Sequence, residues 1–235
     1  MFERPHHRRI ARVLSALDAE LLREANCLFG GGTAMALRFG EYRESVDMDF
    51  LVSDLNSYRR LRQLLTGEAG FAGLLRPDGE RFRLAREVRA DQYGIRTTLL
   101  VDELPIKFEI VLEGRIEIEA ASGKDQVCGV STLTPLDMAT SKLLANADRW
   151  SDDGVFCRDV IDLAMMQPSL PLLRKAMTKA EAVYGPAVQR DLARAIDKLQ
   201  SRPDWLERCM QVMAMTQTKA VLWTKIRALR RGLND

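Results

Sequence analysis

Phe29-Gly30-Gly31-Gly32-Thr33-Ala34-Met35-Ala36-Leu37-Arg38, followed after a short loop by Ser45-Val46-Asp47-Met48-Asp49-Phe50-Leu51-Val52, is the stretch whose reading decides the fold. Asn26 to Phe29 is short and apolar enough for a buried strand. Three glycines then allow backbone angles and close approaches that a Cβ would forbid. Thr33 is placed to cap a following helix, so that free N–H groups and the positive end of the helix dipole face whatever lies over the glycines. Such a seat suits a phosphate. A glycine triplet alone also serves a plain strand-to-helix turn, so the carboxylates that follow carry more weight.

On a second strand, Asp47 and Asp49 project from one face while Met48 and Phe50 point into the core. Two carboxylates roughly 7 Å apart on one face repel each other unless a cation lies between them. Oxygen ligands of this kind select a hard ion, Mg²⁺, which also takes phosphate oxygens into its shell. The run Pro105-Ile106-Lys107-Phe108-Glu109-Ile110-Val111-Leu112 alternates as a strand, with Glu109 on the polar face beside Lys107. Beside the aspartate strand, Glu109 completes a three-carboxylate set able to hold one or two metals about 4 Å apart. The alternative is a surface acid on a half-exposed strand.

Composition narrows the class. The chain has 235 residues, 46% hydrophobic and 29% charged, enough to bury a core in one large or two small domains. A net charge of +2 argues neither for nor against nucleic acid. Cys27, Cys128, Cys157 and Cys209 stand far apart, and there is no secretory or membrane-spanning run, which predicts a reduced, cytoplasmic setting and no membrane partner. His6 and His7 are the only histidines, so a zinc site or a Ser-His-Asp triad is not expected.

Elsewhere the pattern predicts one amphipathic helix over 5–25 with a basic start, a helix over 56–65, and arginines at 81, 83, 86, 89 and 96 on a strand facing a triphosphate tail or an acceptor RNA, or simply edging a sheet. Thr97–Val101 and Ile106–Leu112 read as a hairpin across 102–105. Thr134-Pro135-Leu136-Asp137 starts a helix, and everything beyond is helical in pattern, which places a domain boundary near 130: residues 1–130, then 131–235. In the first of these helices Lys142, Asn146 and Arg149 share a face. The second carries Arg158, Asp159 and Asp162, with Asp159 placed to orient Lys142 or Arg149 or to accept the acceptor's proton, and Asp162 to pair with arginine.

Gly31, Gly32 and Thr33, then Arg43, Ser45, Asp47 and Asp49, then Glu109, then Lys142 and Arg149 followed by Arg158, Asp159, Asp162 and Leu163, form an order that resembles the AbiEii/AbiGii toxin family of nucleotidyltransferases, within the polymerase-β-like superfamily. Thr33 stands where the superfamily usually has serine, and Glu109 where many members have aspartate. The resemblance implies an α/β (α+β) fold, a mixed-sheet nucleotidyltransferase lobe followed by a helical bundle, with nucleotide held between them. It implies Mg²⁺ on Asp47, Asp49 and Glu109, and NTP phosphates on Gly31, Gly32, Thr33, Arg43, Ser45, Lys142 and Arg149. Catalytic roles fall to Asp47, Asp49, Glu109, Lys142 and Asp159. It further implies a toxin paired with a separately encoded antitoxin, with tRNA ends as acceptors. Transfer to a protein or small-molecule hydroxyl, and a non-catalytic nucleotide-binding module, are the rival readings.

Overall fold

In this computed structural model, which describes residues 2–233, α1 (Pro5–Ala16) and α2 (Ala19–Glu24) replace the single N-terminal helix expected from the apolar stripe. Leu17 takes extended angles, and the Asp18 side chain starts a new helix by accepting from the N–H groups of Glu20 and Leu21. The stripe holds through α1, where Ile10, Val13 and Leu14 are fully buried, and past the break the buried residue is Leu22 and not Leu21. Leu21 and Leu22 are both apolar, which is why spacing alone did not reveal the break.

Next come β1 (Leu28–Gly30), α3 (Gly31–Arg38), β2 (Met48–Val52), α4 (Leu55–Thr66), a 3₁₀ turn at Gly70–Leu74, and then β3 (Arg83–Ala90), β4 (Gly94–Val101) and β5 (Leu104–Leu112). They form a mixed sheet in the order β1-β2-β5-β4-β3, with β2 and β5 parallel and the other pairs antiparallel. Phe29, Phe50 and Phe108 pack with tilted rings at centroid separations of 5.3 and 5.1 Å, and Phe71 meets Phe108 edge-on. These rings lie on the face opposite the acids, as the alternation of β2 and β5 requires.

The β4–β5 hairpin is tighter than expected. Its loop is only Asp102-Glu103, both at positive φ (52° and 61°), the conformation that matches strand twist in two-residue turns. Leu104 and Pro105 therefore belong to β5. Pro105 is tolerated because this end of β5 pairs with β4 alone, the β2 ladder beginning only at Phe108.

A short ribbon, β6 (Gln126–Val127) with β7 (Val130–Ser131), follows. The chain divides into two compact units, Met1–Glu41 with Ser45–Thr134, and Tyr42–Glu44 with Pro135–Asp235. The second contains α5 (Pro135–Arg149), α6 (Arg158–Met166), α7 (Leu170–Tyr184), α8 (Ala187–Ser201), α9 (Trp205–Val212) and α10 (Lys219–Leu229). Ser169 and Thr218 cap α7 and α10, and Gly185 at φ +64° ends α7. Leu143, Ile161, Ala176, Leu192, Ile196, Leu222 and Ile226 are its buried centre. Among the described residues no helix is long and apolar enough to cross a membrane.

Candidate active site

The glycine elbow is tighter than the sequence reading had it. Helix α3 begins at Gly31, with Gly30 as an extended N-cap (φ −135°, ψ −151°), so Thr33 is the third helical residue and not the cap. Thr33 is buried, and its hydroxyl donates to Ser45 Oγ at 2.8 Å. The first-turn N–H groups of a helix have no intrahelical partner, which leaves this turn receptive to an anion.

Gly31 sits at φ +66°, and a methyl group there would collide with Asp49 Oδ2 and lie 3.0 Å from Asp49 Cβ. Glycine is thus required twice, for the backbone angle and for the approach of the carboxylate. We expect Gly31→Ala to cost about 1–2 kcal/mol from the left-handed backbone alone. Displacing Asp49 by even 1 Å should lower any chemistry at the elbow about 100-fold. Thermal melting together with nucleotide turnover checks both numbers.

Across the sheet the register sets one row: Gly30 opposite Asp49, Asp49 opposite Glu109, Glu109 opposite Arg96, and Arg96 opposite Arg89. Asp47 lies just before β2 rather than on it, but both aspartates line the same cleft of about 720 Å³. Glu109, Lys107, Arg86, Arg89 and Arg96 line it too. Register irregularities in β3 between Leu84 and Arg86 and between Arg86 and Arg89 put Arg86 and Arg89, three residues apart, in paired positions opposite Thr98 and Arg96. Strict alternation would send them to opposite faces.

Glu109 has a partner that sequence reading missed. Arg96 Nε donates to its Oε1 at 2.6 Å and Arg96 Nη1 donates to Asp91 Oδ2 at 2.9 Å. Asp91 Oδ1 in turn accepts from the N–H groups of Tyr93 and Gly94. A loop over 102–105 would have put Thr98 opposite Glu109; the two-residue turn puts Arg96 there. Counting back from a two-residue turn was the available signal.

Arg43, Lys142, Asp159 and Arg149 lie in the second unit, in a buried charge network and not on an open surface. Arg43 Nε and Nη2 donate to the two oxygens of Asp162 at 2.6 and 2.9 Å, and Tyr42 Oη donates to Asp162 Oδ1 at 2.7 Å. Lys142 Nζ lies 3.0 Å from Asp159 Oδ1 and 2.7 Å from Asp162 Oδ2. Arg149 adds a two-pronged contact to Asp159. Arg43 and Lys142 are only 5% and 6% exposed, so the expectation that they bind nucleotide directly meets side chains already committed to carboxylates. Arg149, with 36% of its side chain exposed, is the member able to meet a ligand. Burial alone would raise the Asp162 carboxyl, but Arg43 and Lys142 outweigh it and hold it well below the usual carboxylate range; Asp159 is lowered in the same way by Lys142 and Arg149.

The basic start of α1 is largely neutralised. Arg9 and Arg12 pair with Asp102, and Arg12 also pairs with Glu80.

A mixed sheet carrying a glycine elbow at the foot of a helix, with an aspartate over it and a second one entering the same strand, is the arrangement of a nucleotidyltransferase. Comparison with known proteins agrees. The family described as "Nucleotidyl transferase AbiEii toxin, Type IV TA system" matches residues 12–231, and the chain belongs to it. No curated protein matches the chain. Two solved structures from Helicobacter pylori share the fold, each with a TM-score of 0.50 over 97% of this chain. One is a "putative nucleotidyltransferase" at 14% identity, covered over 94% of its length; the other is JHP933 at 15% identity, covered over 91%.

Such chemistry ordinarily uses a divalent metal. Among the described residues no three His, Cys, Asp or Glu side chains stand close enough together to hold one, so the expected three-acid cluster is not assembled. Glu109, the register neighbour of Asp49, is paired with Arg96. Asp47 and Asp49 still fit a hard cation: they supply oxygen donors only, are half-buried, and share one cleft. The missing Cβ of Gly31 gives the Asp49 carboxylate its room.

Proposed function

We propose that the protein transfers a nucleoside monophosphate from an NTP to an acceptor hydroxyl, in a Mg²⁺-dependent reaction, and that it does so in the cytoplasm as the toxin of a toxin–antitoxin pair with a separately encoded antitoxin. The observation that carries this reading is the Asp49 carboxylate packed over Gly31 at the start of α3, in one cleft with Asp47. Asp47 and Asp49 would hold the ion, with Glu109 joining if it exchanges Arg96. The metal, when bound, neutralises phosphate charge and favours ionisation of the acceptor hydroxyl.

The rest falls to the protein's own groups. The first-turn N–H groups of Gly31, Gly32 and Thr33 bind phosphate oxygens, and Ser45 fixes Thr33. Arg86, Arg89 and Lys107 line the cleft and offset the charge of the leaving pyrophosphate or of an acceptor backbone. Within the second unit, Lys142, Asp159 and Arg43 hold the buried network from which Arg149 emerges. Positioning and charge neutralisation supply most of the rate in phosphoryl chemistry.

We propose tRNA ends as the acceptor, on the strength of the family resemblance and the arginine-lined wall of the cleft. The test is incubation with each α-labelled NTP, Mg²⁺ and total tRNA. Label on the tRNA 3′ end is the expected result. Label on protein or on a small molecule would reassign the acceptor, and no transfer with retained nucleotide binding would reduce the protein to a binding module.

A further inference from the structure

The chain's only two histidines, adjacent on the first turn of α1, both reach the backbone of Ser45-Val46, the segment that leads into Asp47. Residues 44–47 have no ladder partner, because β2 begins at Met48. Their backbone groups therefore need partners from elsewhere. Ser45 N–H donates to His7 Nε2 at 3.2 Å, and His6 Nε2 lies 3.0 Å from Val46 O.

Donor logic assigns the protons. A backbone N–H can only donate, so His7 Nε2 is the bare nitrogen, and the ring proton is on Nδ1, which donates to Glu41 Oε1 at 2.8 Å. Val46 O can only accept, so His6 Nε2 carries a proton. Glu41 is itself held by the N–H groups of Glu3 and Arg4. From Glu41 the chain of contacts runs through fully buried His7 to Ser45, and from Ser45 Oγ to the Thr33 hydroxyl inside the elbow.

We propose that His7, as the neutral Nδ1–H tautomer, is the positioning residue of this site: it holds Ser45, and through Ser45 it fixes both Thr33 in the elbow and the backbone that presents Asp47. The proposal rests on the nucleotidyltransferase reading above for its effect on activity, not for its geometry. Protonating His7 would place an Nε2–H against the Ser45 N–H, donor against donor, and release the segment. The charged and titratable groups facing His7 are Glu41, Arg4 and His6; burial, the largest influence, outweighs the Glu41 carboxylate, and Arg4 and His6 add to it, so that His7 titrates below its usual 6.5. The site is therefore intact at neutral pH and loosens only as the pH falls through the lowered His7 value, beneath 6.5.

The test compares the native chain with His7→Gln, whose amide oxygen offers Ser45 an acceptor that does not titrate, and with His7→Leu, which offers none. Two readouts are followed from pH 5 to 8.5: the Ser45 amide resonance in ¹⁵N-labelled protein, and nucleotide transfer. In the native chain the Ser45 amide should shift with a midpoint below 6.5, and transfer should fall about tenfold per pH unit beneath it. His7→Gln should keep activity near native at pH 7.5 and carry it further into acid. His7→Leu should lose at least about tenfold at every pH while the rest of its amide spectrum stays native. A native acid limb in His7→Gln, or native activity in His7→Leu, would overturn the proposal. If none of the three transfers nucleotide, the functional reading fails and the amide alone decides: a shift in the native chain that is absent from His7→Gln supports the role, and an unmoved Ser45 amide rejects it.

Discussion

Asp162→Ala should unfold more easily than the native chain by about 3–5 kcal/mol, because it leaves buried Arg43 without its carboxylate and takes away one of the two that hold Lys142. Asp162 is fully buried and accepts from Tyr42 and, twice, from Arg43, with Lys142 as a further neighbour. Lys142 would keep Asp159, whereas Arg43 would keep only the carbonyl of Glu44. Lys142→Ala should cost less than Asp162→Ala, since each carboxylate it abandons retains an arginine. By contrast Arg12–Glu80, a pair of 2.5 Å with both side chains over 40% exposed, should contribute under about 1 kcal/mol. Urea titrations of Asp162→Ala, Lys142→Ala and Glu80→Gln order these costs.

The same network sets an acid limit. Asp159 and Asp162 both have folded-state carboxyls below their unfolded values, so their contribution is complete above about pH 4 and is lost as the pH falls from there toward the folded values. Unfolding midpoints should be flat from pH 7 to 5 on account of this pair and drop below pH 4. In Asp162→Ala much of that acid dependence should be gone.

Much of this architecture could be read from side-chain spacing. Alternation over 106–112 located β5 and the face of Glu109, and Thr134-Pro135 marked the start of α5, because both signals are local and strong. Pairing is another matter. Nothing in the period of β2 says that it runs parallel to β5 with Asp49 beside Glu109, and the two-residue turn that sets Arg96 against Glu109 was hidden by Leu104-Pro105, which looks like loop. Burial was the other blind spot. Lys142 and Arg43 carry the residue types of phosphate ligands, and only the packing of α5, α6 and Tyr42–Glu44 shows their charges already spent on Asp159 and Asp162. The contacts of His7 were not legible because its partners, Glu41 and Ser45, lie more than 30 residues away and one of them is a backbone N–H, which no motif records.

Asp49→Asn is expected to cut nucleotide transfer at least about a thousandfold while changing stability by less than about 1 kcal/mol. The two halves of this expectation come from one position in the fold. Asp49 is half-buried, faces the cleft, and has the like-charged carboxylate of Glu109 as its register partner. An amide of the same shape keeps the packing over Gly31 but lacks the second anionic oxygen that a hard cation requires. Asp162→Asn makes the same change of atoms with the opposite result, because there the lost charge was neutralising buried Arg43 and Lys142. Measured side by side, the first variant should melt like the native chain and be inactive, and its expression should no longer arrest growth. The second should melt early, and whatever fraction remains folded at low temperature should retain a measurable rate. Native-level transfer by Asp49→Asn would remove the metal-bearing role from this carboxylate and leave the backbone angle as the reason for the glycine beneath it.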